Sequence, residues 1–159
     1  MATHFYFAYG ANMSAEVLSR RMQRDIATFH RRHAVLANYR LVFDKVSSTD
    51  PAVGYANVEP APGQFVEGTL NEFDDRLLAK LDAIELVPNH YRRLQMMVKD
   101  SSDGLTVPAH IYVANARWMK PRLRPLRSYL ETLLAGDDLL SPAYVSALRS
   151  VRCRDEAPA

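Results

Sequence analysis

The chain of 159 residues is 48% hydrophobic and 24% charged, the balance of an ordinary globular domain that buries about two thirds of its unfolded surface without staples, which excludes a disordered or collagen-like protein. No apolar run approaches the roughly 18 residues of a membrane span, the N-terminus lacks a basic start followed by an apolar stretch, and the single cysteine, Cys153, rules out an internal disulfide or a cysteine zinc cage. A net charge of +2 is too small to argue for nucleic acid, and the expectation is one cytoplasmic domain over residues 1–150 with a fraying tail over 151–159.

In chain order, the aromatic run from His4 to Tyr9 reads as a strand stopped by Gly10,. Ser14 is placed to cap a helix with Glu16 in its first turn and Val17, Leu18 and Met22 on one face,. A strand is expected from Ala34 to Phe43 and a loop from Asp44 to Gly54. Two short strands, Gly54 to Val58 and Gln64 to Phe73, are expected on either side of a turn at Pro60-Ala61-Pro62-Gly63,. Asp74 opens a helix with an apolar stripe at Leu77, Leu78, Leu81 and Ile84, ending near Glu85 to Val87 because Pro88 disfavours helical geometry before it,. Tyr91 to Val98 and Leu105 to Ala114 read as a hairpin turning at Asp100 to Gly104,. The basic, proline-containing stretch Arg117 to Arg127 reads as an extended crossing. A helix from Arg127 to Ala135 is stopped by Gly136, and Ser141-Pro142 starts a last one,.

Charge is unevenly placed: residues 1–45 carry a net +4, residues 46–90 a net −6 and residues 91–159 a net +4. Sixteen of the twenty basic residues are arginine, whose fork suits carboxylates and phosphates, although most such side chains simply face water. His30 and His33 lack a third neighbouring ligand and read as exposed histidines,. Cys153 reads as an incidental thiol, and there is no nucleophile elbow or P-loop.

Two features point to chemistry. The first is Tyr6-Phe7-Ala8-Tyr9-Gly10-Ala11-Asn12-Met13, a strand ending in a glycine turn before a helix, where outward N–H groups can hold a carboxylate or a developing oxyanion. The second is Glu85, at a helix C-terminus among Ile84, Leu86 and Val87. The helix dipole and the apolar neighbours both raise its carboxyl pKa, which makes a better general base.

Together these features resemble the gamma-glutamylcyclotransferase-like, or AIG2-like, family. Tyr6 to Met13 is similar to that family's Tyr-Gly-Ser-Asn loop, and Leu81-Asp82-Ala83-Ile84-Glu85 with Tyr91-Arg92-Arg93 is similar to its catalytic-glutamate motif. The likeness continues through Gly68-Thr69-Leu70, Tyr129 and Pro142-Ala143-Tyr144, roughly residues 4–150. Ala11 departs from the family's usual serine or threonine.

The resemblance implies an α+β fold, a compact mixed β-barrel-like sheet with peripheral helices. It also implies cleavage of a small-molecule gamma-glutamyl amide by its own α-amine, releasing 5-oxoproline and a free amine, without a metal or organic cofactor. Glu85 is then the base, Tyr6 to Asn12 hold the substrate, and Tyr129 joins Tyr9 as a polar wall. The leaving amine stays open among amino acids, lysine-type amides and small biosynthetic or catabolic amines, with the segments 44–54 and 117–127 as the selecting surface. The competing reading is a non-catalytic module that binds a small acid or a protein on the same fold; binding to RNA or DNA ranks below both, and oligomeric state is open.

Overall fold

A computed structural model describes residues 2–26 and 31–156. Among them are five strands, β1 (Thr3–Ala8), β2 (Arg32–Val46), β3 (Gly54–Asp74), β4 (Tyr91–Asp100) and β5 (Thr106–Ala114). The strands close a barrel in the order β1-β3-β2-β4-β5. Neighbours run antiparallel except at the closing seam, where β5 meets β1 in parallel at Tyr6 and His110. Four α-helices accompany them: α1 (Ala15–Met22), α2 (Asp75–Ile84), α3 (Arg127–Leu134) and α4 (Pro142–Arg149). This is the barrel-like α+β architecture that the resemblance implies. No described helix is long and apolar enough to cross a membrane.

Local chemistry accounts for the helix starts. The Ser14 hydroxyl accepts the Val17 N–H, the Asp74 carboxylate accepts the Leu77 N–H, and the Ser141 hydroxyl accepts the Tyr144 N–H, with Pro142 in the first turn of α4. Each supplies an acceptor to a donor that the helix cannot satisfy itself. In β1, Tyr6, Phe7 and Ala8 are buried in succession, so this strand is covered on both faces. Phe7, Met13, Leu18, Leu70, Phe73, Leu81, Ile111 and Leu130 are fully enclosed in one core. Two glycines permit close approach: a Cβ on Gly68 would lie 2.3 Å from the Ala8 carbonyl oxygen, and one on Gly136 would lie 2.7 Å from the Met13 Cβ. Gly136 does follow α3, but what demands a glycine there is contact with Met13 rather than a left-handed backbone.

Three expectations change. Pro60 to Gly63 does not reverse the chain, since β3 runs unbroken from Gly54 to Asp74. Its pairing with β2 jumps from Ala37 opposite Phe65 to Tyr39 opposite Pro60, so residues 61–64 face Asn38 alone in a bulge. Asn38 (φ 63°) and Gly63 (φ 82°) are both left-handed, and the Gly63 N–H donates to Asn38 Oδ1 at 3.1 Å. Proline and glycine suit a bulge as well as a turn, because both break the ladder. The loop expected from Asp44 begins later, because β2 continues to Val46. Finally, residues 151–156 pack back: Cys153 is 1% exposed, the Arg154 N–H donates to the Pro125 carbonyl, and the Arg127 N–H donates to Asp155. His30 lies outside the described residues, while His33 is engaged by Glu67 and Ser101.

Candidate active site

The last turn of α2 delivers Glu85 as its C-cap, with its N–H on the Leu81 carbonyl at 2.9 Å. Leu81 below is fully buried, and Asp82 one residue on is pegged by the Tyr112 hydroxyl at 2.7 Å and Arg93 Nε at 3.1 Å. The helix end is thereby fixed on β4 and β5, and the Glu85 carboxylate faces a cavity of about 460 Å³. Tyr6, Phe7, Tyr9, Gly10, Ala11, Asn12 and Tyr129 border the same cavity. Ala8 does not. It is buried within the ladder opposite Thr69.

Within this group Asn12 is the hub. Its amide nitrogen donates to the Tyr6 hydroxyl at 3.0 Å and to Glu85 Oε1 at 3.2 Å, while its oxygen accepts from Arg21 Nη1 at 2.8 Å. Asn12 is 4% exposed and divides its hydrogen-bonding capacity among Tyr6, Glu85 and Arg21, so it is itself held in place where it meets the Glu85 carboxylate,. Tyr9 donates its hydroxyl to the Tyr112 carbonyl, and the Tyr129 hydroxyl accepts the Ala56 N–H at 3.1 Å. Burial above all holds the phenols of Tyr6, Tyr9, Tyr91 and Tyr129 above their ordinary value, so the cavity wall is neutral hydroxyl,. Gly10 leaves little room: a Cβ there would stand 3.3 Å from Ala56 and 3.4 Å from the Tyr129 hydroxyl. It opens a short 3-10 turn, Ala11–Met13, whose first N–H groups have no partner within the turn.

The charge state of Glu85 follows from opposing influences. Burial pushes its carboxyl up, while Arg21, Asn12 and Lys45 pull it down, and burial prevails. Arg21 Nη1 stands 3.9 Å from Oε1, and the Glu85 side chain is 18% exposed. The result is a carboxylate that takes a proton more readily than a free glutamate, at the edge of an open cavity, which suits proton transfer.

Several cavity residues escape sequence reasoning. Arg21 comes from the outer turn of α1, Lys45 from the end of β2, His90 from the turn before β4, and Tyr91 from its first residue. Arg21 and Lys45 carry no local signal that separates them from surface cations; only Tyr91 stood inside a recognised motif. No group of three His, Cys, Asp or Glu that could hold a metal ion occurs among the described residues.

The gamma-glutamyl cyclotransferase, AIG2-like family model matches residues 6–131. A Drosophila melanogaster protein named "Putative gamma-glutamylcyclotransferase" is 25% identical over 121 residues, which cover 72% of this chain and 69% of that protein. A solved structure of a gamma-glutamyl cyclotransferase superposes with a TM-score of 0.83 at 20% identity, over 99% of this chain and 93% of the other. An uncharacterised Homo sapiens protein superposes with a TM-score of 0.84 at 22% identity, over 100% and 94%. At such identities the structural likeness speaks for the fold.

Proposed function

The chain belongs to the gamma-glutamyl cyclotransferase, AIG2-like family, and on that premise we propose that it cleaves a gamma-glutamyl amide by intramolecular attack, releasing 5-oxoproline and a free amine. The observation that carries this reading is Glu85, a carboxyl with a raised pKa held at the cavity edge by Asn12.

The α-amine of the glutamyl group attacks its own side-chain carbonyl carbon. A C–N bond forms to close the five-membered ring, and the original amide C–N bond breaks. Because nucleophile and electrophile share one molecule, folding the glutamyl chain into the cavity supplies most of the entropic advantage, and no covalent enzyme intermediate is needed. Glu85 accepts the proton lost by the α-nitrogen and returns it to the departing nitrogen, which leaves as a neutral amine. Asn12 keeps the carboxylate aimed, and the neutral phenols of Tyr6 and Tyr129 offer hydroxyls to a polar substrate. N–H groups of the turn at Gly10 and Ala11 face the charge that develops on the glutamyl carbonyl oxygen, which makes the missing hydroxyl at Ala11 harmless.

The test is release of 5-oxoproline from a panel of gamma-glutamyl amides by the wild-type protein and by Glu85→Gln. The expected outcome is turnover of at least one amide that disappears in the folded variant. A fully active Glu85→Gln protein would remove Glu85 from the reaction, and a wild-type protein inert on every amide would leave the binding-module reading in its place.

A further inference from the structure

Among the described residues Ser101 is the one serine whose hydroxyl meets an imidazole. It opens the turn between β4 and β5, is exposed, and places its Oγ 2.6 Å from His33 Nδ1. The other ring nitrogen, Nε2, stands 2.7 Å from Glu67 Oε1. A serine, a histidine and a glutamate thus stand in line, and none of the three borders the cavity that holds Glu85.

The sheet register brings them together. Val35 of β2 pairs with Glu67 of β3 on one side and with Lys99 of β4 on the other, and His33, two residues back along β2, shares the face of Val35. The Ser101 N–H donates to the His33 carbonyl at 3.1 Å, which fixes the start of the turn against β2. Within the turn the buried Asp100 accepts the Ser102 N–H on its carboxylate and the Gly104 N–H on its carbonyl. Ser101 is therefore carried on a braced turn.

The partners also settle which nitrogen bears the ring proton. Burial pushes the Glu67 carboxyl up, but the hydroxyl and N–H of Ser141, together with His33, bring it below its ordinary value. An ionised carboxylate only accepts, so His33 carries its hydrogen on Nε2 and turns the lone pair of Nδ1 to the Ser101 hydroxyl. An imidazole so placed takes the proton of an attacking hydroxyl, and the carboxylate behind it steadies the imidazolium that results.

We propose that Ser101, His33 and Glu67 form a second reactive site, at which small activated esters acylate the Ser101 hydroxyl and water then removes the acyl group. Ser101 Oγ attacks the ester carbonyl carbon; the Oγ–C bond forms, the ester C–O bond breaks, and the hydroxyl proton passes through His33 Nδ1 to the departing alcohol. Water repeats the sequence on the acyl-serine, which yields the carboxylic acid and restores the serine. Ser101 and His33 are the catalytic residues, and Glu67 is a positioning residue that acts through His33. Residues 101–105 are all exposed, so nothing encloses a long acyl chain and the site suits short ones such as acetyl.

The test is labelling by a biotinylated fluorophosphonate, which forms an Oγ–P bond as fluoride leaves and which ordinary serine hydroxyls resist; mass spectrometry reads the labelled position. The wild-type protein is expected to carry the label on Ser101, to lose it in urea, where the three residues come apart, and to react about a hundredfold more slowly as His33→Gln, the scale of general-base assistance. Hydrolysis of p-nitrophenyl acetate should fall at least about tenfold in Ser101→Ala. Nitrogen NMR of the His33 ring should find the proton on Nε2 in the wild-type protein and a mixture of tautomers in Glu67→Gln. A label absent from Ser101 in the wild-type protein overturns the site without appeal to any variant. Equal labelling rates with and without the His33 imidazole, unchanged ester hydrolysis in Ser101→Ala, or an unchanged tautomer in Glu67→Gln overturn it as well. Release of 5-oxoproline enters none of these measurements, so the outcome stands apart from the cyclotransferase reading.

Discussion

Two largely buried glutamates on opposite errands make the clearest contrast in this molecule. Glu67, in the middle of β3, has a side chain 5% exposed; Glu85, at the end of α2, has one 18% exposed. Burial pushes both carboxyls up, yet Glu67 ends below its ordinary value and Glu85 above it. The difference lies in the donors. Glu67 accepts the Ser141 N–H at 2.8 Å, the Ser141 hydroxyl at 2.6 Å and the His33 ring at 2.7 Å, which outweighs its desolvation. Glu85 has one amide donor at 3.2 Å and a guanidinium at 3.9 Å, which does not. The first carboxylate is saturated and ties the cap of α4 to the barrel; the second is left short of donors and open to a substrate. Burial by itself does not make a base; burial without enough donors does.

The largest effect expected from breaking this contrast is at Glu85. Replacing it with glutamine is expected to lower kcat/KM for 5-oxoproline release by about a thousandfold and, at neutral pH, to leave the unfolding midpoint unchanged or higher. The sign follows from linkage. A carboxyl whose native pKa is raised opposes folding at every pH above its native value, and the penalty is absent below the ordinary 4.5,. Urea unfolding beside the activity assay checks both; a clear loss of stability would put Glu85 in the same class as Glu67.

Glu67→Gln should do the reverse, lowering stability by about 1–3 kcal/mol at neutral pH while each folded molecule keeps its release of 5-oxoproline. Because the native carboxyl is lowered, its contribution is complete above the ordinary 4.5 and fades as pH falls through the native value,. The deficit against wild type is accordingly expected to shrink in acid, and urea midpoints measured across pH would expose a deficit that stays constant.

The smallest effect concerns Arg21, which holds Glu85 down against its burial. With Arg21→Gln the carboxyl rises further, so less of it is ionised on the acid side. The acid limb of the kcat/KM profile should move to higher pH, with a loss of about two- to fivefold on that limb, modest because the guanidinium is partly exposed. A pH profile displaced the other way would mean that Arg21 does not act through Glu85.

Much of the framework was legible along the chain. Ser14, Asp74 and Ser141 announced their helices because a cap acts within three residues, and the stripe of Leu77, Leu78 and Leu81 announced the buried face of α2. The bulge at Pro60 to Gly63 was not legible as such, because a break in the ladder reads as a turn until its partner, Asn38, is known. Asn12 was expected to touch substrate; it does border the cavity, and its amide bond to Glu85 spans 73 residues, a partner that no local pattern names. Lys45 and His90 meet across 45 residues, a separation that no local pattern encodes.

The amino-acid sequence by itself determined β1, the β4–β5 hairpin, the helix starts and the presence of a glutamate at the close of α2, since capping and periodicity act over a few residues. Tertiary structure alone decided that this glutamate is short of donors while Glu67 is saturated, and that a buried lysine faces the same cavity. Desolvation and Coulomb interactions depend on which groups surround a charge in space, and the closing of the barrel is what gathers them.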